Sequence, residues 1–228
     1  SDWISSAAMT KPNVTIAANN AAETVKQGQQ KHITYQVRLT TNNADAILTG
    51  IQLLTSGDYD NSTDLDSLRL YISDNSSLDT LTDNFLQAIA APASGSYASF
   101  TSLANYPILT SGSANYLFIT ADVNENASEG KVFSIQAPTV SDLFLTGGDI
   151  IAGTITDGGD QTIISPYTVT NTNDSGKGSL RWAIDNANLS TGKTIIFNIP
   201  DPSPWTITLG SDLPTITTTT TIDASSQP

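Results

Sequence analysis

Apolar and polar residues alternate with a period of two through much of the first two thirds of the chain. The clearest run places Ile33, Tyr35, Val37 and Leu39 at every second position, with one residue between neighbours. Successive side chains of a β-strand point to opposite faces of a sheet, so this alternation predicts a strand that is buried on one side. The same pattern recurs in residues 14–16, 47–54, 68–72, 116–123 and 132–135. With Gly, Asn, Asp and Ser clusters between the runs, residues 13–164 are predicted to form a β-sandwich domain.

One segment of this domain is ambiguous. Residues 78–91 carry apolar side chains at Leu78, Leu81, Phe85, Leu86 and Ile89. This spacing fits a helix of one or two turns, and it also fits a further strand. Both interpretations are kept.

The pattern changes after residue 165. Leu180, Ala183, Ile184 and Ala187 recur at the spacing of one face of a helix, and Ser179 stands where a helix N-cap is expected. Extended segments are predicted at residues 194–199, 205–209 and 215–223. A short helix before successive strands indicates a helix that covers one end of a stack of strands. Residues 165–228 are therefore predicted to be the capped start of a right-handed parallel β-helix.

Composition supports the all-β class. Thr, Ser, Asn and Gly are abundant, whereas charged residues make up only 14% of the chain. The formal charge of −13 disfavours nucleic acid as a partner, because a phosphate backbone attracts clustered basic residues. The chain has no cysteine, which excludes disulfides and thiolate metal sites. No run approaches the roughly 20 apolar residues of a membrane span, and the start at Ser1 fits a processed or trimmed chain.

Two groups of short sequence motifs resemble known families. Residues 49–57, 64–71, 118–123 and 127–130 resemble the β-sandwich modules of secreted bacterial surface proteins. Similar modules lie beside the propeller of some sialidase-like proteins, where they are accessory and not catalytic. Residues 169–181, 183–188, 195–200, 207–209 and 213–216 resemble the N-terminal cap of large bacterial β-helix surface proteins and adhesins. The resemblance implies an extracellular or cell-surface location, with the repeating coil opening at residues 221–223.

The predicted coil suggests where the protein assembles. The backbone N–H and C=O groups of a coil's strands find partners only where the strands stack on one another. The last strand therefore presents unpaired backbone groups, and the predicted partner is a copy of the protein or the continuation of a longer chain. Residues 1–12 form a predicted N-terminal arm. Its Trp3 and Ile4 either make an apolar contact with a neighbouring molecule or pack on their own domain. The candidate assembly residues are Trp3, Ile4, Thr217, Thr219, Thr221 and Ile222.

Acidic residues suggest one metal site. Asp58, Asp60, Asp64 and Asp66 lie close together at the entrance to a predicted strand. Oxygen ligands of this kind suit Ca²⁺, which is the one candidate cofactor. The segment lacks the glycine and the closing glutamate of an EF-hand loop, so a solvated turn is the competing interpretation.

No catalytic pattern is found in the sequence. The single histidine, His32, lies beside an alternating strand and has no nucleophile motif around it. Phosphate loops, G-x-S-x-G and H-E-x-x-H are absent. We therefore expect a protein that is not an enzyme.

Two functions remain open. The first is a non-catalytic extracellular structural protein, such as a stalk, adhesin or fibre subunit, that assembles through exposed strand edges. The alternative is a carbohydrate-binding accessory module of a larger secreted enzyme, with glycans as partners. Its candidate aromatic residues are Tyr59, Tyr97, Tyr106, Trp182 and Trp205.

Overall fold

The structure, a computed structural model, describes residues 11–103, 107–200 and 203–227. The chain divides into two compact units, the first ending at Ile164 and the second beginning at Ser165. Strands outnumber helices in both units, which confirms the all-β class.

The described part of the first unit is built from strands and one short 3-10 helix, Val140–Asp142. The strands are β1 (Asn13–Asn20), β2 (Glu23–Lys26), β3 (His32–Asn42), β4 (Ala46–Gly57), β5 (Leu65–Ser73), β6 (Asn84–Ala90), β7 (Tyr97–Phe100), β8 (Ile108–Leu109), β9 (Ala114–Val123), β10 (Val132–Ile135), β11 (Leu143–Thr146), β12 (Asp149–Gly158) and β13 (Gln161–Ile164).

These strands form two mixed sheets. The six-stranded sheet has the order β12-β1-β3-β9-β5-β6, in which only the β12–β1 pair is parallel. The seven-stranded sheet has the order β11-β4-β10-β13-β2, with β7 and β8 also paired to β4. Its one parallel pair is β13–β2.

One hydrophobic core is shared by both sheets. Val14 and Val37 from the six-stranded sheet and Leu48 and Leu53 from the seven-stranded sheet belong to a single buried cluster, and none is exposed to solvent. The period-two alternation of β1, β3 and β4 places these side chains inward. Two sheets that enclose a common core fit the predicted β-sandwich.

The ambiguous segment contains a strand and a turn. Asp79 begins a turn in which its carboxylate accepts a hydrogen bond from the Leu81 amide at 2.9 Å. Leu81 is 92% exposed, whereas Leu86 in strand β6 is only 4% exposed and joins the core. The strand interpretation is therefore correct for Asn84–Ala90, and the preceding apolar residues do not form a helix.

The second unit contains a parallel three-stranded sheet and one α-helix. Its strands are β14 (Thr168–Val169), β15 (Lys193–Phe197) and β16 (Thr220–Asp223), in the order β14-β15-β16. The helix, α1, spans Leu180–Ala187, and a 3-10 turn spans Ala224–Ser226. Three parallel strands agree with the direction of pairing in a β-helix, but they do not establish a coil, so the β-helix stays a prediction.

Two predicted extended segments differ from the structure. Residues 205–209 form no strand, and the segment predicted at 215–223 is a strand only at Thr220–Asp223. The earlier part of that segment is bound by side chains near the end of helix α1 and not by a neighbouring strand. A sequence pattern indicates which side chains are buried. It does not show whether the backbone is hydrogen-bonded to a neighbouring strand or to a polar side chain.

Candidate functional site

The second unit has its own small core between helix α1 and the parallel sheet. Val169 of β14, Ile195 of β15 and Ala183, Ile184 and Ala187 of the helix are at most 2% exposed. The apolar stripe predicted from the sequence is therefore the buried face of the helix. Ser179 caps this helix as predicted, because its hydroxyl accepts a hydrogen bond from the Trp182 amide at 3.2 Å.

Strand β16 lies at the edge of this sheet. It pairs with β15 along one side, where Ile222 is opposite Ile195. Directly opposed residues share a face of a sheet, so Ile222 lies on the same face as the fully buried Ile195. Ile222 is nevertheless 43% exposed. No strand of the described residues pairs with the other side of β16, so this strand offers both a free edge and an uncovered apolar side chain.

The residues before β16 are attached to the end of helix α1. The Asn188 side chain donates to the Thr215 carbonyl at 2.9 Å and accepts from the Thr217 amide at 2.8 Å. The Thr218 hydroxyl donates to the Ala187 carbonyl at 2.9 Å. These three bonds replace the strand ladder that the sequence predicted here.

The residues after β16 cover the continuation of β15. The Ser226 hydroxyl accepts from the Phe197 amide at 2.7 Å. The Gln227 side chain accepts from the Ile199 amide at 2.8 Å and donates to the Ile199 carbonyl at 2.9 Å. This segment is thus satisfied within the chain, and on this side of the sheet the free edge is restricted to β16.

The structure places four of the six candidate assembly residues around this edge. Thr217, Thr219 and Thr221 form an exposed row at alternate positions, and Ile222 is exposed on the other face. Only Thr221 and Ile222 belong to strand β16. Trp3 and Ile4 lie outside the described residues.

The candidate calcium ligands are each engaged locally. Asp64 is 1% exposed and accepts hydrogen bonds from the Asp60 and Ser128 amides. Asp60 accepts from Ser62, and this hydrogen bond lowers its pKa. Asp58 accepts from the Val132 amide, which lowers its pKa, and pairs with Lys131 at 3.3 Å.

Asp66, the fourth candidate ligand, accepts from the Asn124 side chain at 2.8 Å. Within the described residues, no three His, Cys, Asp or Glu side chains are grouped in a way that could hold a metal ion. All four carboxylates accept hydrogen bonds from protein donors, and nothing in their arrangement supports the calcium prediction.

Sequence reasoning missed an ion pair, Arg69 with Asp122, whose carboxylate is buried. Asp122 is 1% exposed and accepts from the Lys31 amide, the Ser67 hydroxyl and the Arg69 guanidinium. Burial by itself would raise the pKa of Asp122, but these hydrogen bonds outweigh burial and lower it. The available signal in the sequence was a carboxylate within an apolar strand; in the structure Asp122 lies opposite Ser67 and diagonal to Arg69 of strand β5.

His32 is a buried structural residue. Its Nε2 lies 2.7 Å from Gln161 Oε1, while the Gln161 amide group donates to the Ala21 and Gly159 carbonyls. Because both donors of Gln161 are engaged, its Oε1 accepts and His32 Nε2 donates. His32 therefore connects the start of β3 to β13.

The described aromatic residues of the carbohydrate alternative differ in exposure and are divided between the two units. Tyr59 is 5% exposed, and its hydroxyl donates to the Pro92 carbonyl at 2.8 Å and lies 2.9 Å from the Thr55 hydroxyl. Tyr97 is 49% exposed on β7. Trp205 packs against the core of the second unit, and Trp182 is half-buried. Tyr106 lies outside the described residues.

Comparisons with known proteins find little. No protein-family model matches the chain, and no curated protein matches it. Among solved structures it has a likeness to the crystal structure of a cohesin–dockerin complex at pH 5.5. The identity is 18%, the likeness covers 67% of this chain and 99% of that chain, and the TM-score is 0.22. A TM-score this low carries no argument about function.

The helical content of the described residues bears on membrane insertion. In this part of the chain, no helix has the length and apolar character that crossing a membrane requires.

Proposed function

We propose that the protein is a non-catalytic extracellular structural component, such as a stalk, adhesin or fibre subunit, that assembles through the free edge of strand β16. The observation that carries the proposal is the 43% exposure of Ile222 on the same sheet face as the fully buried Ile195. A strand that has an unpaired edge and an uncovered apolar side chain can accept a second neighbouring strand along that edge.

The partner is a β-strand of a second copy. Strand addition satisfies backbone groups at the edge, and side chains such as Ile222 supply apolar contact. Complete burial of an isoleucine side chain stabilises by about 1.5 to 3 kcal/mol, so covering the exposed part of Ile222 contributes less than this. If the two contacting surfaces differ, repeated addition builds a filament unless the rotation closes a ring.

The test uses a matched pair of substitutions. Ile222→Lys places a charge on the proposed interface, whereas Ile216→Lys makes the same change at a residue of nearly equal exposure, 42%, that lies before β16. Light scattering after size exclusion, together with electron microscopy, is expected to show assemblies for the wild type and Ile216→Lys. Ile222→Lys is expected to be monomeric.

Two results would contradict the proposal. One is a wild type that stays monomeric at every concentration, and the other is an equal effect of both substitutions. If the intact mass of protein from its source reveals a longer chain, the strand on this edge belongs to that continuation and not to a second copy.

The non-catalytic part of the proposal has its own test. His32 donates to the Gln161 side chain, and the buried carboxylates Asp64 and Asp122 accept from protein donors, which supports structural roles for all three residues. Incubation with a panel of polysaccharides is expected to release no reducing ends. Measurable turnover that depends on any of these residues would contradict this part.

A further inference from the structure

A groove crosses the outer surface of the six-stranded sheet, in the first unit. It has a volume of about 290 Å³ and is lined chiefly by Ala17, Gln36, Arg38, Tyr116, Thr154 and Thr156. The register explains its shape, because Ala17 lies opposite Arg38, which in turn lies opposite Tyr116. The small side chain of Ala17 on β1 leaves a trough between the threonines of β12 and the larger side chains of β3 and β9.

Arg38 is the distinctive charge in this groove. It is exposed, and no ion pair or hydrogen bond of its guanidinium is found within the described residues. By contrast, Arg69 on the same sheet is paired with Asp122 at 2.6 Å. No acidic residue lines the groove as far as the chain is described. A free guanidinium matches a carboxylate, because its parallel N–H groups can bind both oxygens.

The other polar side chains of the groove carry oxygen atoms that can accept hydrogen bonds. Gln36 donates through its amide nitrogen to the Ser76 carbonyl at 3.2 Å, which leaves Oε1 free to accept. The Thr156 hydroxyl donates to the Ala18 carbonyl at 3.1 Å, so its oxygen keeps its accepting capacity. A fitting ligand therefore carries several hydroxyl donors as well as one carboxylate.

We infer that this groove binds a short saccharide that bears a single carboxylate, such as a glucuronic acid unit, with Arg38 on the carboxylate and Tyr116 beside the sugar ring. The volume lies just below the range of about 300 to 1,000 Å³ for small-molecule sites, which suits a short ligand. The formal charge of −13 repels polyanions, so one acidic unit in an otherwise neutral glycan is favoured.

Three single variants of the full chain test the site. Arg38→Gln removes the proposed carboxylate partner, and Ala17→Leu fills the trough from its floor. Lys11→Gln makes the same change of charge at an exposed residue that precedes β1, about 20 Å from Ala17 if the chain between them is extended. The probe is a disaccharide with one glucuronic acid, compared with the neutral disaccharide that has glucose in its place, by calorimetry and NMR titration.

The acidic disaccharide is expected to bind more tightly than the neutral one. Arg38→Gln should weaken that binding about tenfold to hundredfold, as for loss of a hydrogen bond to a charged group. Ala17→Leu should abolish binding, and Lys11→Gln should leave it unchanged. If Ala17→Leu perturbs the sheet, seen as a lower melting temperature, Arg38→Gln still decides, because Arg38 is exposed.

Several outcomes would overturn the inference. They are no binding at millimolar concentration, equal binding of the neutral disaccharide, equal weakening by Lys11→Gln, or tighter binding of a glutamate-containing peptide of the same charge. None of them bears on strand β16, which lies in the other unit.

Discussion

At the scale of single residues, side chains repeatedly take the place of backbone partners. The amides of Asn188 and Gln227 each donate to one backbone group and accept from another, as a strand would. Asp122 serves the same purpose inside the first unit, where it accepts from the Lys31 amide. Through such hydrogen bonds, individual polar residues contribute more to stability than the alternation of apolar and polar residues in the sequence indicates.

Asp122→Asn is expected to destabilise the first unit by about 2 to 3 kcal/mol. Arg69 then loses its charged partner, and the new amide NH₂ group faces side chains that donate to the carboxylate in the wild type. Urea denaturation at neutral pH measures this loss. A variant as stable as the wild type would show that the pair contributes nothing.

The same carboxylate predicts a pH dependence. The folded-state pKa of Asp122 is lowered, so its contribution is fully present above the unfolded-state pKa of about 3.9. That contribution is lost as the pH falls through the lower, folded-state pKa. The difference in free energy of unfolding between wild type and Asp122→Asn should therefore shrink in acid, and a gap that is independent of pH would contradict this assignment.

Gly50→Ala tests a close approach within the seven-stranded sheet. An added Cβ would lie 2.8 Å from the Phe100 carbonyl oxygen and 2.9 Å from the Phe144 ring. We expect a loss of about 1 to 3 kcal/mol from this overpacking. Because Phe144 is 36% exposed, Phe144→Ala should recover part of the loss in the double variant, as measured by thermal unfolding.

At the scale of elements, the sequence predicts what side-chain periodicity determines. Helix α1 and its Ser179 cap are placed correctly because an apolar stripe and a capping hydroxyl are both local signals. Strand β6 could not be assigned, since Leu78 precedes a turn and Leu81 lies within it, and both disturb the alternation. The length of β16 was overestimated because threonine favours extended backbone whether its partner is a strand or the Asn188 side chain.

The Asn188 contact gives a prediction at this scale. Asn188→Ala removes both bonds to the segment before β16, so amide exchange at Thr217 should become faster. The free energy of unfolding should fall by about 1 to 2 kcal/mol. Asn198→Ala is the control, because the Asn198 side chain is exposed and has no hydrogen bond in the described part of the chain. Equal exchange in the two variants would contradict the proposed role.

At the scale of the whole molecule, charge is divided unevenly between the two units. The second unit has three basic residues, Lys177, Arg181 and Lys193, and five acidic residues, Asp174, Asp185, Asp201, Asp212 and Asp223. Its formal charge is therefore −2, which leaves −11 of the total −13 on the first unit. The proposed assembly edge thus lies in the nearly neutral unit, where contact between copies meets less repulsion.

This distribution predicts how salt affects assembly. If copies join through β16, the remaining opposition comes from long-range repulsion between their acidic first units. Salt at about 0.15 M shortens the screening length to about 8 Å, so raising the salt from a low concentration should increase the assembled fraction. Sedimentation of the wild type across a salt series measures this, with Ile222→Lys as the control that stays monomeric throughout. Assembly that weakens as salt rises would mean that ion pairs, and not the apolar edge around Ile222, join the copies.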